Sequence, residues 1–299
     1  MPRTSITVVP VSDEKAGPYG VTAGPDGAMW FTKVREGAIG RLGADGELTS
    51  YPLADREGGP AVIAPGPDGA LWFTEYRGNR VGRIAVDGAV TSYERPDAGP
   101  YGIAPGPDGA VWFTEMNTDR ICRITPDGEV TEFPVPVAGG FPSAIAADPA
   151  GGRLWFTLNQ GNAVASIELS GEIRVHPLPT EAAGPVGLAA GPDGAMWFVE
   201  IMAGQVGRVD AEGNVTEFPL PDRAARPHAV VAGADGAMWF TEWGANRIGR
   251  VTVDGSRIES YGIPAGASEP HGIALGPDGT LWTALESGAL GRVETAEEQ

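Results

Sequence analysis

The chain has 299 residues, one cysteine and a formal net charge of −18. That acidic balance lacks the basic patches that nucleic acid or an anionic membrane surface would require, and it reads as a solvated surface. No apolar run is long enough to cross a bilayer.

Cys122 is alone, so no intrachain disulfide can form, which predicts a reducing compartment. The first residues, Met-Pro-Arg-Thr-Ser, lead through a short apolar stretch to Asp13 and Glu14, unlike a signal or transit peptide. A cytoplasmic location is therefore expected.

In chain order, the first predicted element is a strand over Ser5 to Val9 that has no unit of its own. Seven similar units follow. Their tryptophans, Trp30, Trp72, Trp112, Trp155, Trp197, Trp239 and Trp282, are spaced by 42, 40, 43, 42, 42 and 43 residues. The 45 glycines and 27 prolines recur with this period, which marks them as turns and not as disorder.

The third unit parses as strands over Gly102 to Pro105, Val111 to Glu115, Arg120 to Ile124 and Val130 to Phe133. Asp-Gly at 108–109 and at 127–128 signals hairpins, because such turns need positive φ. Four strands in about 40–45 residues is the arithmetic of a propeller blade. After Trp282 only three strands remain, so the N-terminal strand is expected to complete the last blade. The expected fold is all-β: one seven-bladed β-propeller over 1–299, four antiparallel strands per blade.

The tryptophans are expected to pack between blades. Glu75, Glu115 and Glu242 each precede an arginine by five residues (Arg80, Arg120, Arg247), and cross-strand ion pairs are expected. His176 falls on an outer strand and reads as a surface residue.

A proline in each unit introduces the residue expected to face the central channel: Tyr19, Ala61, Tyr101, Ser143, Val186, His228 and His271. Two residues earlier stand Gly17, Gly59, Gly99, Phe141, Gly184, Arg226 and Glu269. Blades six and seven depart from glycine together, as Arg226-Pro-His228 and Glu269-Pro-His271. A residue before proline is expected to be extended, which would send Glu269 and His271 to the same side. One histidine in such a wall is ordinarily just packed and hydrogen-bonded. Two of the three in the chain, side by side with a carboxylate, point to a site at one mouth of the channel. Glu286, four residues after Trp282, joins them in blade seven. It reads either as an exposed strand-end carboxylate or, with Glu269, as a ligand of an oxygen-loving ion such as Mg²⁺.

Together, G-P-Y-G at 17–20, W-F-T-E-M-N at 112–117, G-P-V-G at 184–187, W-F-V-E-I at 197–201, A-R-P-H-A at 225–229, W-F-T-E-W-G-A-N at 239–246 and E-P-H-G-I at 269–273 resemble the virginiamycin B lyase (streptogramin B lyase) family. The resemblance covers essentially the whole chain. Most of these segments are general blade sequence; A-R-P-H-A, E-W-G-A-N, E-P-H-G-I and the late glutamate are specific. The loop G-P-D-G-T after Leu275 departs by one extra residue, and Glu286 is aligned through W-x-A-x-E.

The resemblance implies His271 as general base, Glu269 and Glu286 as Mg²⁺ ligands, His228 as a substrate contact and Tyr19 as an aromatic at the same mouth. It implies a cyclic depsipeptide substrate opened at its threonyl ester by β-elimination, and so antibiotic resistance. Tyr101 and Trp243 add aromatic faces for such a substrate. Two readings compete: a metal-dependent lactonase hydrolysing a cyclic ester, and a non-catalytic propeller used as a binding scaffold. A monomer is expected.

Overall fold

A computed structural model of the chain describes residues 3–296, so the single-domain reading of 1–299 runs past the described residues at both ends. Seven four-stranded antiparallel sheets are arranged in a ring. The inner strand of each packs against those of its two neighbours, the first against the seventh included. The N-terminal strand Arg3–Pro10 pairs antiparallel with the last strand, Ala289–Ala296, and completes the seventh sheet. In blade three the strands are Pro100–Pro105, Val111–Glu115, Arg120–Ile124 and Val130–Pro134, within two residues of the expected bounds. Gly109 and Gly128 have φ of 74° and 90°, the positive values their hairpins require.

Six of the seven tryptophans are fully buried and pack between adjacent blades; Trp30, for example, lies with Ile63 and Phe73 of the next blade. The turn aspartates explain their precision. Asp26 accepts from Trp30 Nε1 at 2.9 Å with one oxygen and from Arg41 Nε at 2.7 Å with the other. Trp282 is the exception: it is only partly buried, with no such aspartate bond among the described residues. On the outer strands an aromatic stacks over each of the first six tryptophans. His176 takes that role over Trp155, with ring centroids 5.3 Å apart, so the ring that sequence placed on the surface is part of the blade packing.

Two of the three expected ion pairs form, Glu75 with Arg80 and Glu242 with Arg247. In blade three Glu115 instead bonds Arg95 Nε at 2.6 Å, and Arg120 turns to Glu132. Arg95 reaches Glu115 from the loop before the blade and takes the acceptor first.

The inner strands carry one further shared feature. In each of them the ladder shifts register just after the proline; in blade seven Pro270 pairs with Leu285 and Ile273 with Thr283. Two residues therefore face one, a β-bulge, and the bulged residue is aimed away from the sheet. A threonine on the second strand meets the bulge's hydrogen-bonding needs. Thr32 Oγ1 accepts from Gly20 N at 2.8 Å and donates to Ala61 O of the next blade at 2.7 Å. Thr241 likewise holds the His271 carbonyl at 2.9 Å.

Candidate functional site at the channel mouth

The bulge residues of the inner strands are Tyr19, Ala61, Tyr101, Ser143, Val186, His228 and His271, the ring read from the prolines. Four of the seven assemble at the mouth. Tyr101 and Tyr19 hydroxyls lie 2.7 Å apart, and the Tyr19 hydroxyl lies 3.2 Å from His228 Nε2. His271 stacks on Tyr19 with centroids 4.4 Å apart and meets the His228 ring edge-on at 4.8 Å. Trp243 lies 6.1 Å from His271, with the Arg226 guanidinium 5.7 Å over its indole. Beneath this layer runs an apolar channel of about 480 Å³, lined by residues such as Ile63, Ile103, Leu188 and Ile273.

Enclosure in the protein pushes His228 down to about 3, with the neighbouring His271 adding to the effect. Its imidazole is thus neutral and free to accept at Nε2. Burial pushes both phenols up, Tyr19 strongly, so each keeps its proton. Tyr101 can donate to Tyr19 and Tyr19 to His228, a directed chain that ends on an acceptor.

Glu269 corrects the expectation of an extended residue before proline. Its φ is 59°, and Phe141 and Arg226 have φ of 57° and 49° at the same place. The four glycines of this ring, Gly17, Gly59, Gly99 and Gly184, lie between 58° and 64°. The left-handed turn belongs to the blade, and it outweighs the local proline preference. Such a backbone costs an ordinary residue about 1–2 kcal/mol relative to the right-handed form. Glu269 consequently stands exposed at the rim while His271 is buried below it.

Glu286 links the two. Its N–H donates to the Glu269 carbonyl at 3.2 Å. Its Oε1 lies 2.7 Å from His271 Nε2, off the line of a ring N–H, a close polar contact and not an aligned hydrogen bond. Its Oε2 bonds the Arg35 guanidinium, and Arg35 Nη2 lies 3.8 Å from Glu269 Oε2. Burial works to raise the Glu286 carboxyl, but the His271 and Arg35 contacts outweigh it and hold the group below its ordinary value, ionised. His271 Nδ1 is buried without a partner among the described residues.

The carboxylates of Glu286 and Glu269 thus both face one nitrogen, Arg35 Nη2. The residues fit a hard cation that takes oxygen ligands and keeps several waters, and Glu269 and Glu286 would hold it. No cluster of three or more His, Cys, Asp or Glu that could hold a metal ion is assembled among the described residues.

Sequence reasoning missed Arg35, and it missed the ring to which Glu286 belongs. Val34, Tyr76, Met116, Asn159, Ile201 and Trp243 occupy the corresponding place, four residues after each tryptophan, all partly exposed at the mouth. The signal was available in that spacing. Cys122 is buried in blade three, with its thiol pushed up by burial, so it offers no nucleophile to the mouth. No helix among the described residues is long and apolar enough to cross a membrane.

Comparison with known proteins places this architecture. The family model described as the virginiamycin B lyase family matches residues 4–293. A solved streptogramin B lyase superposes with a TM-score of 0.93 at 39% identity, covering 98% of both chains. A virginiamycin B lyase from Staphylococcus aureus gives 0.93 at 42% identity, covering 97% of this chain and 99% of that one. A catalytically inactive histidine-to-alanine form of the S. aureus enzyme, solved with quinupristin, gives 0.92 at 41% over the same shares. The curated virginiamycin B lyase of Saccharopolyspora erythraea is 58% identical over 41 residues, and the aligned stretch spans 14% of each chain. The chain belongs to the virginiamycin B lyase family.

Proposed function

We propose that this chain is a lyase that opens cyclic streptogramin B depsipeptides at the threonyl ester, and that this opening confers resistance to them. The observation that carries the reading is the buried His271, with its imidazole 2.7 Å from the ionised Glu286 at a mouth lined by Tyr19, Tyr101 and Trp243. The likeness to a lyase solved with quinupristin supports the substrate class.

In the proposed step His271 takes the threonyl Cα proton. The C–H electron pair becomes the Cα=Cβ double bond, the Cβ–O bond breaks, and the ester oxygen leaves as a carboxylate. The positive charge that His271 gains then lies beside the Glu286 carboxylate. A positioned base of this kind contributes roughly 10²–10⁴-fold in rate. Mg²⁺ held by Glu269 and Glu286 would supply Lewis-acid stabilisation of the charge developing on the ester oxygens. The neutral His228, anchored by Tyr19, presents a fixed polar edge to the substrate, and Trp243 presents a broad aromatic face.

Mass spectrometry of a streptogramin B incubated with the protein tests the proposal. A linear product of unchanged mass supports elimination. A gain of one water would establish a lactonase instead, and an intact substrate would leave the propeller as a binding scaffold or an enzyme of another ester.

A further inference from the structure

Arg35 is the second residue of the hairpin after Trp30, a place held by Arg77 in the next blade. Arg77 bonds backbone: its Nε donates to Glu57 O at 3.1 Å and its Nη2 to Val34 O at 3.0 Å. The Arg35 guanidinium has no backbone acceptor among the described residues. It crosses from blade one into blade seven, where one nitrogen, Nη2, faces Oε2 of both Glu286 and Glu269. Gly17 opens the track, for a Cβ there would stand only 3.1 Å from Arg35 Cγ. The side chain is 47% exposed, so nothing encloses it against turning outward.

A guanidinium is a permanent cation, and this one bonds Glu286 while lying 3.8 Å from Glu269, between two acidic side chains. A divalent ion ligated by the same two oxygens needs the space and the lone pairs that Arg35 Nη2 uses. We propose that Arg35 is an exchangeable counter-cation: it holds Glu269 and Glu286 together in the metal-free protein and yields its place when Mg²⁺ binds. Arg35 is therefore a positioning residue that sets metal affinity. The proposal rests on the reading of Glu269 and Glu286 as metal ligands.

The test is Mn²⁺ binding, followed by the loss of the free-ion electron paramagnetic resonance signal, together with thermal unfolding with and without Mg²⁺. The proteins compared are wild type, Arg35→Gln, Arg35→Lys and Glu286→Gln. Removing the competing charge is expected to tighten Mn²⁺ binding about three- to tenfold in Arg35→Gln, with Arg35→Lys between it and wild type. Arg35→Gln is also expected to unfold at a lower temperature than wild type without metal, with the gap closing at saturating Mg²⁺. Equal or weaker Mn²⁺ binding in Arg35→Gln, with binding lost in Glu286→Gln, would leave the metal site standing and overturn the exchange. No Mn²⁺ binding in any protein that keeps both glutamates would overturn the metal site itself, and the exchange with it.

Discussion

The backbone N–H of Glu286 donates to the carbonyl of Glu269 at 3.2 Å. The bond is not special to blade seven. Val34 makes it to Gly17, Met116 to Gly99, Asn159 to Phe141, Ile201 to Gly184 and Trp243 to Arg226. In six of the seven blades this bond therefore sets the residue four past the tryptophan beside the left-handed residue before the proline. Blade seven places glutamate at both. A recurring backbone contact thus becomes a pair of adjacent carboxylates through two side-chain choices, with no change of fold.

The two carboxylates are unequal, which leads to the first prediction. Glu286 is 13% exposed and touches His271, whereas Glu269 is 48% exposed and its carboxylate pairs, among the described residues, with Arg35 alone, at 3.8 Å. Glu286→Gln should lower lyase activity by about 10²-fold or more, since it would remove both an oxygen of the proposed metal site and the charge beside the proposed base. Glu269→Gln should lose less and recover in part as Mg²⁺ is raised. Activity measured against Mg²⁺ concentration, with a chelated control, checks both. Equal losses without recovery would contradict the assigned hierarchy.

His228 should contribute no limb to a pH profile. His228 is pushed down to about 3, so it stays neutral across the working range and cannot supply a titration there. His271→Ala should abolish turnover, by roughly 10²–10⁴-fold. His228→Asn should mainly raise KM and leave the shape of the kcat/KM profile between pH 5 and 8 unchanged. A limb that vanishes with His228→Asn would show that the wrong imidazole has been assigned the proton.

The ring of seven blades was legible because its period is written in large residues. Seven tryptophans and the turn glycines mark the strand count, the unpaired N-terminal strand marks closure, and the bounds read for blade three fall within two residues of those observed. The channel ring was legible for the same reason, as the residue after a repeated proline. Two features were not. Glu269 was expected to be extended from its proline alone, although glycine at four of seven equivalent places was itself the mark of a left-handed backbone. Arg35 lies 251 residues from Glu286, and only closure of the ring brings blades one and seven together. Within its own blade nothing distinguishes it from Arg77.

Glu200 predicts a stability effect away from the mouth. It holds the place that Glu75 and Glu242 fill in their blades, but its partner is the neutral Gln205, at 2.6 Å, in place of an arginine. Burial raises its carboxyl to about 8; the Gln205 bond opposes the rise and the nearby Glu217 adds to it. The unfolded group titrates near 4.5. Between those values the native state holds more protons than the unfolded state, so stability must fall as pH rises from about 4.5 to about 8. Glu200→Gln should remove that slope and raise Tm at pH 8 more than at pH 5. Parallel Tm curves for the two proteins would rule the buried proton out.

The left-handed ring sets stability against function at one residue. Glu269 sits at φ 59° where four sister blades use glycine, and its exposed side chain gains little from packing. Glu269→Gly should therefore relieve backbone strain, offset in part by the greater freedom of glycine in the unfolded chain, for a net gain of about 0.5–1 kcal/mol. Loss of the Arg35 contact subtracts little from this, because the distance is 3.8 Å and both groups are near half exposed. The same substitution removes a carboxylate from the proposed metal site, so activity at low Mg²⁺ should fall while Tm rises. Thermal unfolding and lyase assays on one preparation measure both. If Tm falls instead, the glutamate is held by more than the fold's left-handed turn, and its retention would need no functional explanation.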